Sequence, residues 1–305
     1  MTPRISIIIP LYNKSNFIAD TVNSVLNQTF IDYEIIIIND GSTDNSLDVV
    51  NSINDNRIQI YTTKNQGVSA ARNYGISKAR ANYIAFLDGD DYWEATFLDS
   101  MHQLTIDYPK NHVFSSAAKM INGRRNMPLK YYAKPKDKVS TLNFFKSSLG
   151  FPILHPSSLI MSKHVVNTIG LFDETLYTTE DTDYWIRIGT KYKIVFLNVP
   201  LVTIRITKNG LTQSNRTYYK PLNYSKYLEN CEKTPFMKEF LNKNMYSSAL
   251  KYKLLNDKES YLYIRNLINL KALNMKQRII LNLPTVIFKK AVSLYRTLNK
   301  GKNYY

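Results

Sequence analysis

The sequence predicts an α/β protein, a mainly parallel sheet followed by a helical C-terminal extension. Strand-length apolar runs alternate with helix-period segments through the first 110 residues. The runs lack polar alternation, as strands buried on both faces do. After about residue 216 they cease, and the chain becomes helical, basic and rich in Tyr and Leu.

Each element has its own signal. Ile5–Ile9 and Ile35–Ile38 are the first two strands. Between them Phe17, Ile18, Val22, Val25 and Leu26 recur at helical spacing, after the capping candidates Ser15 and Asn16. A second helix follows Ser42-Thr43-Asp44, then a short strand at 57–61, a helix over 68–80 and a strand at 83–87. Such alternation specifies right-handed βαβ units. A strand-like stretch near 112–120, a polar loop from Asn122 to Val139 and further elements around 153–161, 181–192 and 194–205 continue the domain. The expected division is an α/β domain over 1–215 and a basic helical extension over 216–305.

Composition narrows the class. Of 305 residues 44% are hydrophobic and 21% charged, which excludes a disordered chain. The single cysteine, Cys231, excludes a disulfide scaffold and a Cys-based zinc site, and suits a reducing cytosol. No apolar run approaches the ~18 residues of a membrane span. The opening run is too short and too β-like for a signal peptide. A cytoplasmic protein, soluble or peripheral at the inner face of the cell membrane, is therefore expected. Residues 1–215 hold 22 Lys and Arg against 19 Asp and Glu, whereas 216–305 hold 18 against 5. The net charge of +16 thus sits mainly on the last third. That suggests an anionic contact, the plain alternative being a solvated cationic face.

In an open parallel sheet, ligands bind at the carboxyl ends of the strands. Those ends here carry Pro10-Leu11-Tyr12-Asn13, Asn39-Asp40-Gly41-Ser42-Thr43-Asp44, Asn65-Gln66-Gly67 leading into Ala71-Arg72-Asn73, and Asp88-Gly89-Asp90-Asp91. Three carboxylates in four residues repel one another unless a cation neutralises them. Hard oxygen ligands suit Mg²⁺ or Mn²⁺. The other reading is an acidic turn that caps the helix starting near Ala95. No G-x-G-x-x-G follows the first strand, and no P-loop, G-x-S-x-G elbow or histidine metal spacing occurs.

These four segments, in this order and spacing, resemble family 2 glycosyltransferases. The likeness continues through Gly170-Leu171-Phe172-Asp173-Glu174 and Glu180-Asp181-Thr182-Asp183-Tyr184-Trp185, and so covers about residues 3–210. The resemblance implies a GT-A fold, a nucleotide-diphospho-sugar donor and inverting transfer. It implies that Pro10, Tyr12 and Asp40 frame the nucleobase, that Asn65 and Arg72 complete the pocket, and that Asp88 faces the ribose. Asp90 matches the metal-binding aspartate of the D-x-D motif, with Mn²⁺ or Mg²⁺ as cofactor. Asn39 stands where many members have aspartate, while Asp40 is retained. Arg72 has a second reading, as a partner that holds Asp88 in place.

An acceptor hydroxyl needs a base, and three acids are candidates. At about 100° per residue, Asp181 shares a helix face with Tyr184, Trp185 and Ile188. Asp183 faces elsewhere, four residues before Arg187, where a surface ion pair is expected. The base aspartate of the family also falls on Asp181. Arg205 resembles an arginine that relatives place near the diphosphate; Thr207 replaces a histidine found two residues later. His155-Pro156-Ser157-Ser158 lines the acceptor cleft or forms an ordinary turn into a strand.

The expected enzyme is a hexosyl- or N-acetylhexosaminyl-transferase that uses a UDP-linked donor. Its acceptor is a hydroxyl of a cell-surface glycan or lipid-linked saccharide. A sugar-phosphate nucleotidyltransferase is the alternative enzyme, but its Gly-rich basic loop is missing after the first strand. A non-catalytic nucleotide- or carbohydrate-binding module would not need both Asp90 and Asp181. No nucleic-acid partner is expected. In the tail, Pro284 suits a first helical turn. Ile287, Phe288, Ala291, Leu294, Tyr295 and Leu298 then fall on one face, with Lys289, Lys290, Ser293, Arg296 and Thr297 on the other. That pattern fits an anionic membrane surface, packing within the protein, or an anionic polymer, with membrane docking preferred.

Overall fold

The computed structural model describes residues 2–123, 125–127, 129–132, 137–207, 220–229 and 231–298, the side chains of 296 and 298 excepted. In chain order the first elements are β1 (Ile5–Leu11), α1 (Ile18–Leu26), β2 (Tyr33–Asp40), α2 (Ser46–Asn51), β3 (Ile58–Thr63), α3 (Val68–Lys78) and β4 (Tyr83–Phe86). The isoleucines of β1 and β2 are almost wholly buried because helices or neighbouring strands cover both faces. Each such side chain contributes about 1.5–3 kcal/mol of burial. β3, β2, β1 and β4 lie side by side in that order, all parallel, as βαβ units require.

β5 (Tyr92–Trp93), α4 (Phe97–Asp107), β6 (Val113–Asn122), β7 (Arg125–Met127), β8 (Val139–Leu142), α5 (Phe144–Ser147), β9 (Leu159–Ser162), α6 (Lys163–Ile169), α7 (Glu180–Lys191) and β10 (Ile194–Arg205) follow. The sheet order is β3-β2-β1-β4-β9-β6-β10-β5. The long strands β6 and β10 pair in parallel, while the short β9, β5, β7 and β8 join by antiparallel ladders. The strand order thus turns between β4 and β6, where β9 inserts. Within the expected 122–139 loop the short β7 folds back on β6, while the other described residues between Asn122 and Val139 are irregular; positions 124, 128 and 133–136 lie outside the described residues.

α3 lies unusually close to the sheet. A Cβ at Gly75 would fall 2.4 Å from Ile8 Cγ2 of β1, so only glycine lets the helix approach this far. Mid-helix glycine costs about 1 kcal/mol relative to alanine, and close packing is what it returns here. Helix α1 starts differently from expectation. Neither Ser15 nor Asn16 caps it; Phe17 occupies the cap position without a side-chain bond. The Ser15 N–H instead donates to Asp44 Oδ2 (3.1 Å), because the loop is drawn to the turn after β2.

The chain divides into two compact units, Met1–Thr212 and Gln213–Tyr305. The boundary expected at 215/216 lies outside the described residues. The second unit contains α8 (Tyr224–Leu228), α9 (Met237–Leu255), α10 (Lys258–Leu267), α11 (Met275–Asn282) and α12 (Thr285–Leu298). Its core forms along α9, from Phe240, Leu241, Met245, Ala249 and Tyr252. Lys253 is buried there, donating to the Leu281 carbonyl (2.6 Å) beside the hydroxyl of Tyr261. The ammonium and the Tyr261 hydroxyl together satisfy a carbonyl in the last turn of α11. The apolar face expected on α12 is divided. Phe288 is buried, while Ile287, Leu294 and Tyr295 are exposed.

Candidate active site

The carboxyl ends of β1, β2 and β3 are in register, with Leu11 opposite Asn39 and Asp40 opposite Thr63. Asp40 is buried and accepts the backbone N–H groups of Gln66 and Gly67, each at 2.8 Å. Gly67 has φ +94°, a left-handed turn that brings both N–H groups onto one carboxylate. Asp40 therefore fixes the 65–67 turn ahead of α3. Tyr12 and Asn65 are exposed at this edge and Pro10 is half-buried. Asn13, at φ +52°, accepts the Thr43 N–H (2.8 Å) and so ties the loop after β1 to the turn after β2.

The acidic turn after β4 is held by groups far away in sequence. The Ser157 hydroxyl accepts the Asp88 N–H (3.2 Å) and donates to Asp91 (2.6 Å). Thr21 of α1 donates to the carbonyls of Gly89 and Asp91. Each carboxylate then meets its charge differently. Asp88 bonds Arg72 at 2.8 Å. Burial would raise its pKa, but Arg72, His155 and Lys14 hold it below the ordinary value. Asp90 pairs with the Lys14 ammonium and accepts the Thr207 hydroxyl at 3.0 Å. Asp91 is buried, and that burial, with the charges of Asp88 and Asp90, pushes its pKa well up. It accepts the Ser157 hydroxyl and the Arg205 N–H (3.0 Å), so it serves as a brace for the turn.

Arg72 reaches further than the acidic turn. Its guanidinium is 3% exposed, bonds Glu180 Oε1 at 3.2 Å as well as Asp88, and lies over the Phe172 ring. It thereby joins the turn after β4 to the start of α7. Its role as the partner of Asp88 is thus present in the fold. Burial pushes the Glu180 pKa up to about 7, helped by the neighbouring Asp181 charge and opposed by Arg72.

Asp181 is half-buried, and Tyr184, Trp185 and Ile188 on its face are buried, as the helical spacing requires. Its carboxylate accepts the Thr182 N–H (2.6 Å) and makes no ion pair among the described residues. It lies within electrostatic reach of Arg72 and His155. Asp183 pairs with Arg187 (2.8 Å) as expected, but the pair is not at the surface: Asp183 is buried. Arg187 also donates to the Ile169 carbonyl and lies over the Tyr184 ring, which draws the pair inward.

His155 forms a turn into β9, its Nδ1 accepting the Ser157 N–H at 3.2 Å. Its ring also lies beside the acidic turn: Asp88, Asp91 and His155 each offer a ligand atom within 4.8 Å of the others. Burial depresses its pKa, against the pull of Asp88 and Asp181. The Arg205 guanidinium bonds Asp20 of α1 (2.9 Å) and lies over Tyr92. Lys14 was missed as a functional position, and Ser157, named only as part of the 155–158 segment, was not expected to brace the acidic turn. A lysine directly after Tyr12-Asn13 at a strand's carboxyl end was the one local signal for Lys14.

The donor set suits a hard divalent ion. Asp90 offers a carboxylate whose present neighbour is itself a cation, Lys14. The ligand atoms that lie together are those of Asp88, Asp91 and His155; Asp90, expected as the metal ligand, is outside that group and is paired with Lys14.

The Glycosyl transferase family 2 model matches residues 6–170. An uncharacterized glycosyltransferase of Rickettsia bellii is 33% identical over 233 residues, covering 74% of this chain and 31% of its own length. One from Rickettsia felis is 32% identical, covering 78% of this chain and 38% of its own. This chain therefore matches only about a third of either relative's length. The chondroitin synthase of Pasteurella multocida is 48% identical over 94 residues, 30% of this chain and 10% of that protein. The crystal structure of S. aureus TarS 1-349 in complex with UDP-GlcNAc superposes with a TM-score of 0.72, covering 99% of this chain and 93% of that chain. At 20% identity, this likeness establishes the fold.

Proposed function

The chain belongs to glycosyltransferase family 2, and on that premise we propose that it is an inverting transferase using a nucleotide-diphospho-sugar, UDP-linked, as donor. The observation that carries this reading is Arg72. It joins the acidic turn, read as the donor side, to the start of α7, where Asp181 waits as base. Pro10, Tyr12, Asp40 and Asn65 along the same strand ends receive the nucleotide, and Asp88 the ribose. A UDP-linked donor is supported by the TarS structures, which hold UDP-GlcNAc and UDP.

Asp181 takes the proton of the acceptor hydroxyl as its oxygen attacks the anomeric carbon. The bond to the diphosphate breaks on the opposite face, so configuration inverts. General-base help of this kind is worth about 10²–10⁴-fold. Asp181 suits the task because among the described residues no cation pairs with it, and an aromatic wall backs it. Mn²⁺ or Mg²⁺ on Asp90, when bound, supplies charge stabilisation for the departing nucleoside diphosphate. Arg205, braced by Asp20, is a further cation for that group.

The acceptor is a hydroxyl of a cell-surface glycan or lipid-linked saccharide. Similarity to chondroitin and hyaluronan synthases over 94 residues supports polysaccharide chemistry. A thermal-shift panel of nucleotide-sugars with Mn²⁺ tests the donor: a UDP-sugar should raise Tm most. Equal shifts for unrelated nucleotides would count against it.

Among the described residues no helix is long and apolar enough to cross a membrane. The second unit nevertheless exposes Met275, Ile279, Val286, Ile287 and Leu294 within a stretch that has no acidic residue after Glu259. Exposed apolar side chains among cations suit the anionic inner face of the cell membrane, each near-surface cation adding about 1 kcal/mol. The protein should co-float with anionic vesicles and not with neutral ones. Failure to float would end the membrane assignment.

A further inference from the structure

The two cations of the acidic turn are held in opposite ways. Arg72 is 3% exposed, bonds two carboxylates at once and lies over an aromatic ring. Lys14 has 19% of its side chain exposed and, among the described residues, pairs with Asp90 alone. Arg72 is a fixed part of the fold. Lys14 is a single charge on a flexible stem.

The sequence nevertheless aims that stem with care. Asn13 is held in the left-handed region by its bonds to Thr43. The Lys14 N–H donates to Ser46 (2.7 Å), and the Ser15 N–H to Asp44 (3.1 Å). The Lys14 stem then crosses the glycine of the turn, its Cγ 3.5 Å from where a Gly89 Cβ would stand. The backbone on both sides of Lys14 is thus pinned, while its ammonium end is replaceable.

We propose that Lys14 is the resident counter-cation of Asp90, and that a divalent ion reaches this carboxylate by exchange with the ammonium. This rests on reading Asp90 as the metal ligand. An ammonium and a divalent ion on one carboxylate repel each other strongly at such short range. Lys14 therefore weakens metal binding to the empty enzyme. A nucleoside diphosphate offers the displaced ammonium new negative charge, so donor and metal strengthen one another's binding.

The test is Mn²⁺ titration of the full chain without nucleotide, followed by the electron paramagnetic resonance of the free ion. Lys14→Met should bind Mn²⁺ about tenfold tighter than wild type, Lys14→Arg should stay near wild type, and Asp90→Asn should lose the site. Unchanged or weaker affinity in Lys14→Met, with the site lost in Asp90→Asn, overturns the exchange alone. Wild-type affinity in Asp90→Asn overturns the reading of Asp90 as ligand. Should Lys14→Met fail to fold, wild type answers the question by mass spectrometry. Acetylation of Lys14 should accelerate several-fold when Mn²⁺ is added, and an unchanged rate overturns the exchange.

Discussion

Two stretches of this chain each pack three carboxylates into four residues: Asp88, Asp90 and Asp91 after β4, and Glu180, Asp181 and Asp183 at the start of α7. The fold treats them in parallel. In each, one acid bonds Arg72 and another has a basic partner of its own, Lys14 for Asp90 and Arg187 for Asp183. The third acids part company. Asp91 is buried, braced by Ser157 and the Arg205 N–H, and driven towards neutrality. Asp181 is half-buried and, among the described residues, makes no ion pair. One cluster is thus fully engaged by partners, while the other leaves one carboxylate without an ion pair among the described residues. Acid content alone did not distinguish them; the partners do.

Arg72 is where the comparison is most easily broken, because both clusters depend on it. Arg72→Met removes from Asp88 and Glu180 the cation they share. Removing one member of a buried ionic group costs about 3–5 kcal/mol, so a large drop in urea stability is expected, along with transferase activity. Wild-type stability would mean that the two clusters are independent.

Next in size is the difference between Asp181 and Asp183. Asp181→Asn should lower kcat by about 10²–10⁴-fold with donor affinity kept. Asp183→Asn should act mainly on stability, by loosening Arg187 from α7. If the kinetic loss follows Asp183 instead, the base is misassigned.

A smaller effect sharpens the contrast through pH. The Glu180 pKa rises from the ordinary 4.5 to about 7 in the folded protein. The folded state therefore holds a proton that the unfolded chain has released. Its contribution to stability is fully present below the unfolded value and is lost as pH rises through about 7. Urea unfolding between pH 5 and 8 should show this decline in wild type and a flatter profile in Glu180→Gln. Parallel profiles would remove Glu180 from the account.

The parallel half of the sheet was legible because strands buried on both faces must be apolar throughout, as Ile5–Ile9 and Ile35–Ile38 are. The face of α7 was legible for a similar reason: three or four residues fix a helix side. The two-residue β5 and three-residue β7 were not, since their pairing is decided by β10 and β6 rather than by their own composition. Periodicity names a face but not what meets it. Hence Asp183 was expected at the surface, while Ile169 and Tyr184 draw its partner inward. The bond from Arg72 to Glu180 spans 108 residues, and that from Lys14 to Asp90 spans 76. No local pattern encodes either. Of the site, the sequence carried the acids and their order along the chain, and folding supplied their cations.

The close approach at Gly75 gives the site a calibration point on the sheet-facing side of α3. Arg72 lies one turn earlier on α3, so the depth at which α3 rests on Ile8 fixes how far its guanidinium reaches towards Asp88 and Glu180. A single added methyl at position 75 would work as a shim, lifting the helix and carrying the charge with it. The alignment of the two acid clusters is therefore gauged by the thickness of one missing side chain, at a residue that has no polar group of its own to contribute.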